Sequence, residues 1–238
     1  MPYRITGFLL GLLTLSSALI AQPPTKFTNL QVLPKTISNE DLIGMMRGFC
    51  FDLSVRCESC HSPTNFADDT KETKQTARAM LRMVAAINRD YVDKLTPTPR
   101  VQVECVTCHR GLRQPRTLKS AMTEALEKNG VQAAIALYRD LRKKDYGSGE
   151  YDFSERSLNT FSEALLKQHK TKEAVAIMEL NVEVNAPLSS WAGSVLAMSH
   201  QANGDVDKAI ADYRKLLEAT PDNSWAKQQL EDLQKAKQ

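Results

Sequence analysis

Several things are scarce in this 238-residue sequence. Aromatic residues make up only 6%, His occurs four times and Cys five times. Charge of either sign is nearly cancelled: 31 Lys and Arg against 28 Asp and Glu leave a formal net charge of +3. That balance excludes the strong one-signed field by which proteins gather nucleic acid or anionic membrane surfaces, so no nucleic-acid partner is expected. Beyond residue 20 no apolar run is long enough to span a bilayer. The odd cysteine count excludes a framework in which every thiol is paired. What remains, 42% apolar and 25% charged residues, is ordinary for a globular chain and sufficient for one large domain or two small ones.

The N-terminus has a direction. Arg4 precedes an apolar run from Ile5 to Ile20, small Ser and Ala residues gather near its end, and Gln22-Pro23-Pro24 breaks any helix. A basic start, an apolar middle and a small-residue end describe a secretory signal peptide, here residues 1–21 with cleavage expected after Ala21. An uncleaved N-terminal anchor is the alternative. The sequence therefore points to a periplasmic or otherwise exported protein with no membrane span once the signal is removed.

The remainder divides by composition. Residues 22–36 are a Pro-bearing leader, residues 37–115 hold all five Cys, and residues 118–238 contain none and read as helix almost throughout. The boundary is expected at Arg113-Gln114-Pro115-Arg116. A first helix is expected over about Asn39 to Leu53, capped by Ser38 with Asp41 three residues on. Leu42, Met45, Met46, Phe49, Cys50 and Leu53 recur on it at three- and four-residue steps. A second is expected from about Thr70 to Leu95. Asp69 and Glu72 resemble a capping box at its start, Ala77, Met80, Leu81, Met83, Val84, Ile87 and Tyr91 form its apolar face, and Thr96-Pro97-Thr98-Pro99 ends it.

The last half repeats itself. Gly130 to Tyr138 parallels Gly204 to Tyr213, and Lys172 to Ile177 gives a third copy; Ala174 and Ala209 stand 35 residues apart, Pro187 and Pro221 stand 34 apart. Leu196, Gly204, Ala209, Tyr213 and Pro221 fall where the tetratricopeptide repeat wants them, and this region resembles that repeat. The wider gap from Ala134 to Ala174, 40 residues, marks an insertion around Asp145–Gly149. Two good repeats, one degenerate one and a capping helix from Ser224 are expected, an ordinary helical bundle being the alternative. The fold class is all-α.

The chemistry sits in Cys57-Glu-Ser-Cys60-His61 and Cys105-Val-Thr-Cys108-His109. Two thiols one turn apart reach the two vinyl groups on one porphyrin edge, and the adjoining His ligates the iron; each pentapeptide is a haem c attachment site. A tetrahedral zinc site would not duplicate a His directly after the second Cys. The cofactors are therefore two haem c groups, held covalently by Cys57, Cys60, Cys105 and Cys108, with His61 and His109 as proximal iron ligands. For the sixth positions the spare His169 and His200 lie in repeat helices. Met45 and Met46 precede the first motif, and Met80 and Met83 the second. A thioether favours ferrous iron and raises the reduction potential. Arg78, Arg82, Arg89 and Arg110 are candidates to pair with haem propionates, Arg82 and Arg110 being preferred, since guanidinium matches carboxylate in bidentate geometry. Gly48 is a place for haem to approach the backbone. Cys50 is read as a buried, inert thiol.

Met45-Met46-Arg47-Gly48-Phe49, Leu53-Ser-Val55-Arg-Cys57-Glu-Ser-Cys60-His61, Phe66-Ala67-Asp68, Ala79-Met80-Leu81-Arg82-Met83-Val84, Ile87-Asn88-Arg89-Asp90-Tyr91 and Cys108-His109-Arg110-Gly111 together carry a resemblance. Residues 30–113 resemble the haem-binding unit of the photosynthetic reaction-centre cytochrome c subunit family. In that family a helix supplies an axial Met before the chain turns into its Cys-x-x-Cys-His segment. The resemblance implies Met46 as ligand of the first haem and Met83 of the second, with Met45 and Met80 as second choices. It also implies a departure: the family's subunit carries four haems in two pairs, and this chain has one pair followed by repeats, so service to a reaction centre does not follow.

The expectation is a non-enzymatic, exported di-haem electron carrier whose partners are redox proteins, with a protein or peptide partner on the repeat region. The rivals are a di-haem peroxidase-like enzyme, for which no distal acid–base constellation is visible, and a haem-based sensor or assembly factor.

Overall fold

The computed structural model describes residues 27–95 and 101–237. The signal peptide, its cleavage point and the Pro97–Pro99 helix stop lie outside the described residues. Among the described residues the regular elements are α-helices and two 3-10 turns, so the all-α expectation holds. The chain packs as two compact units. One comprises residues up to Phe51 together with Val55–Val103; the other comprises Asp52–Ser54 and Glu104–Gln238. The division falls earlier than Arg113–Arg116, and the second Cys-x-x-Cys-His motif packs with the C-terminal helices.

In the first unit α1 spans Asn39–Leu53. Ser38 caps it: the Asp41 N–H donates to Ser38 Oγ at 3.0 Å, and the hydroxyl donates to Asp41 Oδ2 at 2.6 Å. Its end is a tight reversal. Ser54 takes a left-handed φ of 48°, and the Val55 N–H donates to Cys50 O at 3.0 Å. That bond closes helices whose next residue turns left-handed. A 3-10 turn over Cys57–Ser59 follows, then α2 over Glu72–Asp90 and a second 3-10 turn over Val92–Lys94. Asp69 does not cap α2. The capping position is Lys71, with no side-chain cap bond, because the Asp69 carboxylate is taken by Lys74 and Arg78.

The apolar face expected on α2 is covered in part: Ala77, Leu81, Val84 and Ile87 are half-buried. Met80, Met83 and Tyr91 are 43%, 46% and 70% exposed, whereas Lys74 and Arg78 are buried. Leu42 is the one buried apolar side chain among this unit's described residues.

The second unit begins with α3, Cys105–His109, whose capping box joins Glu104 and Thr107. Next come α4 (Leu118–Asp145), α5 (Glu155–Lys167), α6 (Thr171–Asn185), α7 (Ser190–Asn203), α8 (Val206–Ala219) and α9 (Ser224–Ala236). Gly130 kinks α4 sharply, with φ 80° and ψ 176°, a conformation open essentially to glycine alone. From α5 onward each helix packs on the next, and α5 also packs on α7. The small residues matched by sequence lie in the core: Ala134, Ala174 and Ala209 are fully buried, each followed by a buried Ile135, Val175 or Ile210. Four residues beyond those alanines stand Tyr138, Met178 and Tyr213, also fully buried. An alanine lets two helix axes approach, and the large side chain one turn on fills the space beside it.

Candidate haem-binding sites

The first motif is held by α2. Lys71 Nζ donates to Glu58 O and Thr73 Oγ1 to Ser59 O, so the opening turn of α2 grips the carbonyls between Cys57 and Cys60. His61 N–H closes the turn on Cys57 O at 2.9 Å. The imidazole then folds back: its Nδ1 donates to Phe66 O at 2.9 Å and its ring stacks on Phe66, centroids 5.1 Å apart. A carbonyl can only accept, so Nδ1 carries the proton and Nε2 keeps its lone pair. Burial, then the charges of Lys74, Arg78 and Lys71, hold His61 below the ordinary imidazole range, against the opposing Phe66 bond. The ring is neutral at pH 7, as an iron ligand must be.

Behind Phe66 lies a charged cluster. Lys74 Nζ donates to Phe66 O at 2.9 Å and to Asp68 O at 2.6 Å, and pairs with Asp69 at 3.1 Å. Arg78 pairs with the same carboxylate at 2.9 Å and also reaches Gln75 Oε1 and Asn29 O. Hydrogen bonds from Arg78 first, then Asn29 and Lys74, hold the Asp69 carboxyl well below the usual carboxylate range.

The second motif repeats the essential geometry by other means. Its turn runs through Arg110 and Gly111, both left-handed at φ 49° and 83°. The φ of Gly111 is one that residues with a side chain rarely adopt, and a Cβ there would also stand 3.0 Å from the Glu150 carboxylate. Gly111 N–H donates to Asp52 O at 3.0 Å, Leu112 N–H to His109 O at 2.7 Å, and His109 Nδ1 to Leu112 O at 2.8 Å. Again Nδ1 is committed and Nε2 is left for a metal.

The donor set fits haem c. At both motifs two unpaired thiols lie one turn apart beside an imidazole oriented by a backbone carbonyl. That is the outer bond that metal-ligating histidines regularly make. Among the described residues no cluster of three or more His, Cys, Asp or Glu side chains is arranged to hold a metal ion by itself. On α1, a Cβ at Gly44 or Gly48, one turn apart, would meet nothing within 4 Å. This leaves a flat strip of backbone suited to a planar group.

Comparison with known proteins points the same way. The family model described as photosynthetic reaction centre cytochrome C subunit matches residues 21–183, more than half of the chain. The chain belongs to this family. The match runs past residue 113 into α6, further than the motifs themselves reach. Three curated relatives align over shorter stretches. Cytochrome c-554 of Chloroflexus aurantiacus is 34% identical over 89 residues, 34% of this chain and 22% of that protein. The photosynthetic reaction center cytochrome c subunit of Thermochromatium tepidum is 40% identical over 60 residues, covering 25% of this chain and 14% of that protein. Its counterpart from Roseobacter denitrificans is 29% identical over 82 residues, 33% of this chain and 22% of that protein. The chain thus spans about a fifth or less of the length of the curated relatives it matches. Family membership implies haem c as the cofactor.

The other expected site residues are placed as follows. Met46 is half-buried on α1, one turn before Cys50; Met45 is exposed on the same helix, and Met80 and Met83 are exposed on α2. Arg78 pairs with Asp69 and Arg89 with Asp90. Arg82 is exposed. Arg110 is exposed and lines a cavity of about 250 Å³ with Lys119, Arg156, Asp152, Ser157 and Thr160, where three cations outnumber one carboxylate. His200 is buried and bonded through Nδ1 to Asp212 at 2.6 Å. Cys50 differs from an isolated buried thiol. Burial raises its pKa first, followed by the charge of Cys57 and a hydrogen bond with it, so it belongs to a group of three thiols with Cys57 and Cys60. Sequence reasoning misses Lys74; its signal is the Lys74/Arg78 pair at i and i+4 beside Asp69.

Proposed function

We propose that this protein is an exported electron carrier with two haem c groups, one at Cys57/Cys60/His61 and one at Cys105/Cys108/His109. The observation that carries the reading is the shared geometry of His61 and His109, whose Nδ1 atoms bind carbonyls at 2.9 Å and 2.8 Å. When bound, haem c supplies an iron that alternates between ferrous and ferric. The chain's own residues anchor, orient and insulate. The Cys thiols fix the porphyrin edge, the carbonyls of Phe66 and Leu112 hold the imidazoles in one tautomer, and Arg110 with its cationic neighbours offers a seat for a propionate. Met46 and Met83, with Met45 and Met80 as second choices, serve as sixth ligands, an assignment resting on the family's pattern. Arg82 is a further propionate candidate.

Helices α4–α9 act as a tetratricopeptide-like repeat region that docks a protein or peptide. The three buried Ala–aliphatic pairs with their large residues one turn on support this. The partners of the haem region are redox proteins. No helix among the described residues is long and apolar enough to cross a membrane.

The test is haem content by mass spectrometry of the purified exported chain, followed by its dithionite-reduced spectrum with and without carbon monoxide. Two covalent haems and an unchanged spectrum are expected. Carbon monoxide binding at one haem would favour a peroxidase-like enzyme or a sensor, and a chain carrying no covalent haem would overturn the reading.

A further inference from the structure

We infer that Lys74 is a positioning residue that sets the reduction potential of the haem at the first motif, through the carbonyl it shares with His61. This rests on the proposed haem ligation by His61. Phe66 O accepts two bonds at once, from His61 Nδ1 at 2.9 Å and from Lys74 Nζ at 2.9 Å. A carbonyl has two lone pairs, so the geometry is permitted, but the two donors compete for the same electron density. A metal-bound imidazole becomes a stronger donor when its other N–H is drawn toward a basic acceptor. An ammonium on that acceptor reverses the effect. It makes Phe66 O less basic, leaves Nε2 poorer in electrons and withdraws support from ferric iron.

The charge acts in the same direction. Lys74 and Arg78 are only 8% and 7% exposed and share the single carboxylate of Asp69. The cluster therefore keeps one net positive charge in poorly solvated surroundings, where it is weakly screened. A positive charge near the haem opposes oxidation. Burying an ammonium is costly unless its donors are used. Here they meet Phe66 O, Asp68 O and Asp69, which fixes the ammonium beside the histidine's acceptor rather than in solvent.

The second motif lacks this arrangement. His109 Nδ1 donates to Leu112 O at 2.8 Å, and among the described residues no Lys or Arg side chain donates to that carbonyl. The contribution of Lys74 therefore falls on the first haem and not on the second.

The experiment is spectroelectrochemical titration of the full-length holoprotein, its haem content checked first. Lys74→Gln removes the charge and Lys74→Arg keeps it. The Lys74→Gln protein is expected to lower one midpoint by about tenfold in the ferric/ferrous ratio, about 59 mV for a one-electron couple, with the other midpoint unmoved. Lys74→Arg restores the value. Asp69→Asn leaves both cations unneutralised and raises the same midpoint, and it carries the test if Lys74→Gln does not fold. The affected haem is identified as the first by its disappearance in a Cys57→Ala/Cys60→Ala chain. Two haems with midpoints unmoved by Lys74→Gln, or by Asp69→Asn where it substitutes, would overturn the inference. A chain that takes up no haem would instead overturn the functional reading beneath it.

Discussion

The two packing units hold themselves together differently. Helices α4–α9 bury Tyr138, Phe161, Met178 and Tyr213 completely, and their aromatic and aliphatic side chains form continuous clusters. Among its described residues the unit of α1 and α2 buries one apolar side chain, Leu42, and two cations, and it exposes Met45, Phe51, Met80, Met83 and Tyr91. Its order comes from directional contacts: the reversal after α1, the grip of Lys71 and Thr73 on the motif turn, and the Lys74–Asp69–Arg78 cluster. Burial of apolar area is the main force of folding. A segment organised by polar contacts around exposed apolar side chains is therefore suited to complete its core with a large apolar cofactor, while helices α4–α9 already have a core of their own.

The sharpest break of this contrast is to remove the first attachment. In a Cys57→Ala/Cys60→Ala chain, amides of α1 and α2 should lose protection from hydrogen exchange while α5–α8 keep theirs. Equal protection in both units would mean that the first folds without its cofactor. The converse is Phe161→Ala, a cavity beneath α5. It should cost about 3–5 kcal/mol in denaturant unfolding followed by far-ultraviolet circular dichroism, with the first haem's midpoint unchanged. Met46→Ala should open one iron to carbon monoxide and lower one midpoint; an unaltered spectrum would move the assignment to Met45.

Asp69 gives a smaller, pH-dependent effect. Its pKa is depressed by Arg78, Asn29 and Lys74. Its contribution to stability is therefore present above the ordinary carboxylate pKa of about 4 and is lost as pH falls through the lower native value. The stability difference between wild type and Asp69→Asn should be constant near neutrality and shrink below about pH 4. The smallest effect is expected from Cys50→Ser. Haem content and both midpoints should stay at wild-type values, and thiol labelling of the denatured holoprotein should lose its one free thiol.

Much of this is legible in the sequence. The bounds of α1 and its Ser38 cap follow from side-chain chemistry three residues apart. The buried positions of Ala134, Ala174 and Ala209 are readable because steric closeness between helices admits few residue types. The buried face of α2 is not. Apolar periodicity points to Met80 and Met83, yet Lys74 and Arg78 are inside. A buried cation is recognisable only through its acceptors, here carbonyls and a carboxylate five to nine residues earlier, and periodicity carries no information about them. Asp69 misleads for the same reason. It has the composition of a cap, but two cations on α2 compete for it more strongly than backbone N–H groups do. The early division between the units is hidden too, because Gly111 reaches back to Asp52 through a backbone bond that no side chain announces.

The kink at Gly130 has a consequence for length. The whole of α4 has 28 residues. At about 1.5 Å per residue, an unbroken helix of that length would be a rod of about 42 Å. The helices that follow it have 13 to 15 residues, which is about 20–22 Å each. Broken at Gly130, α4 becomes two pieces of about 18 and about 22 Å. One glycine thus trims an oversized beam to the gauge of its neighbours, and a Gly130→Ala chain that straightened there would carry a helix about twice as long as any it must lie against.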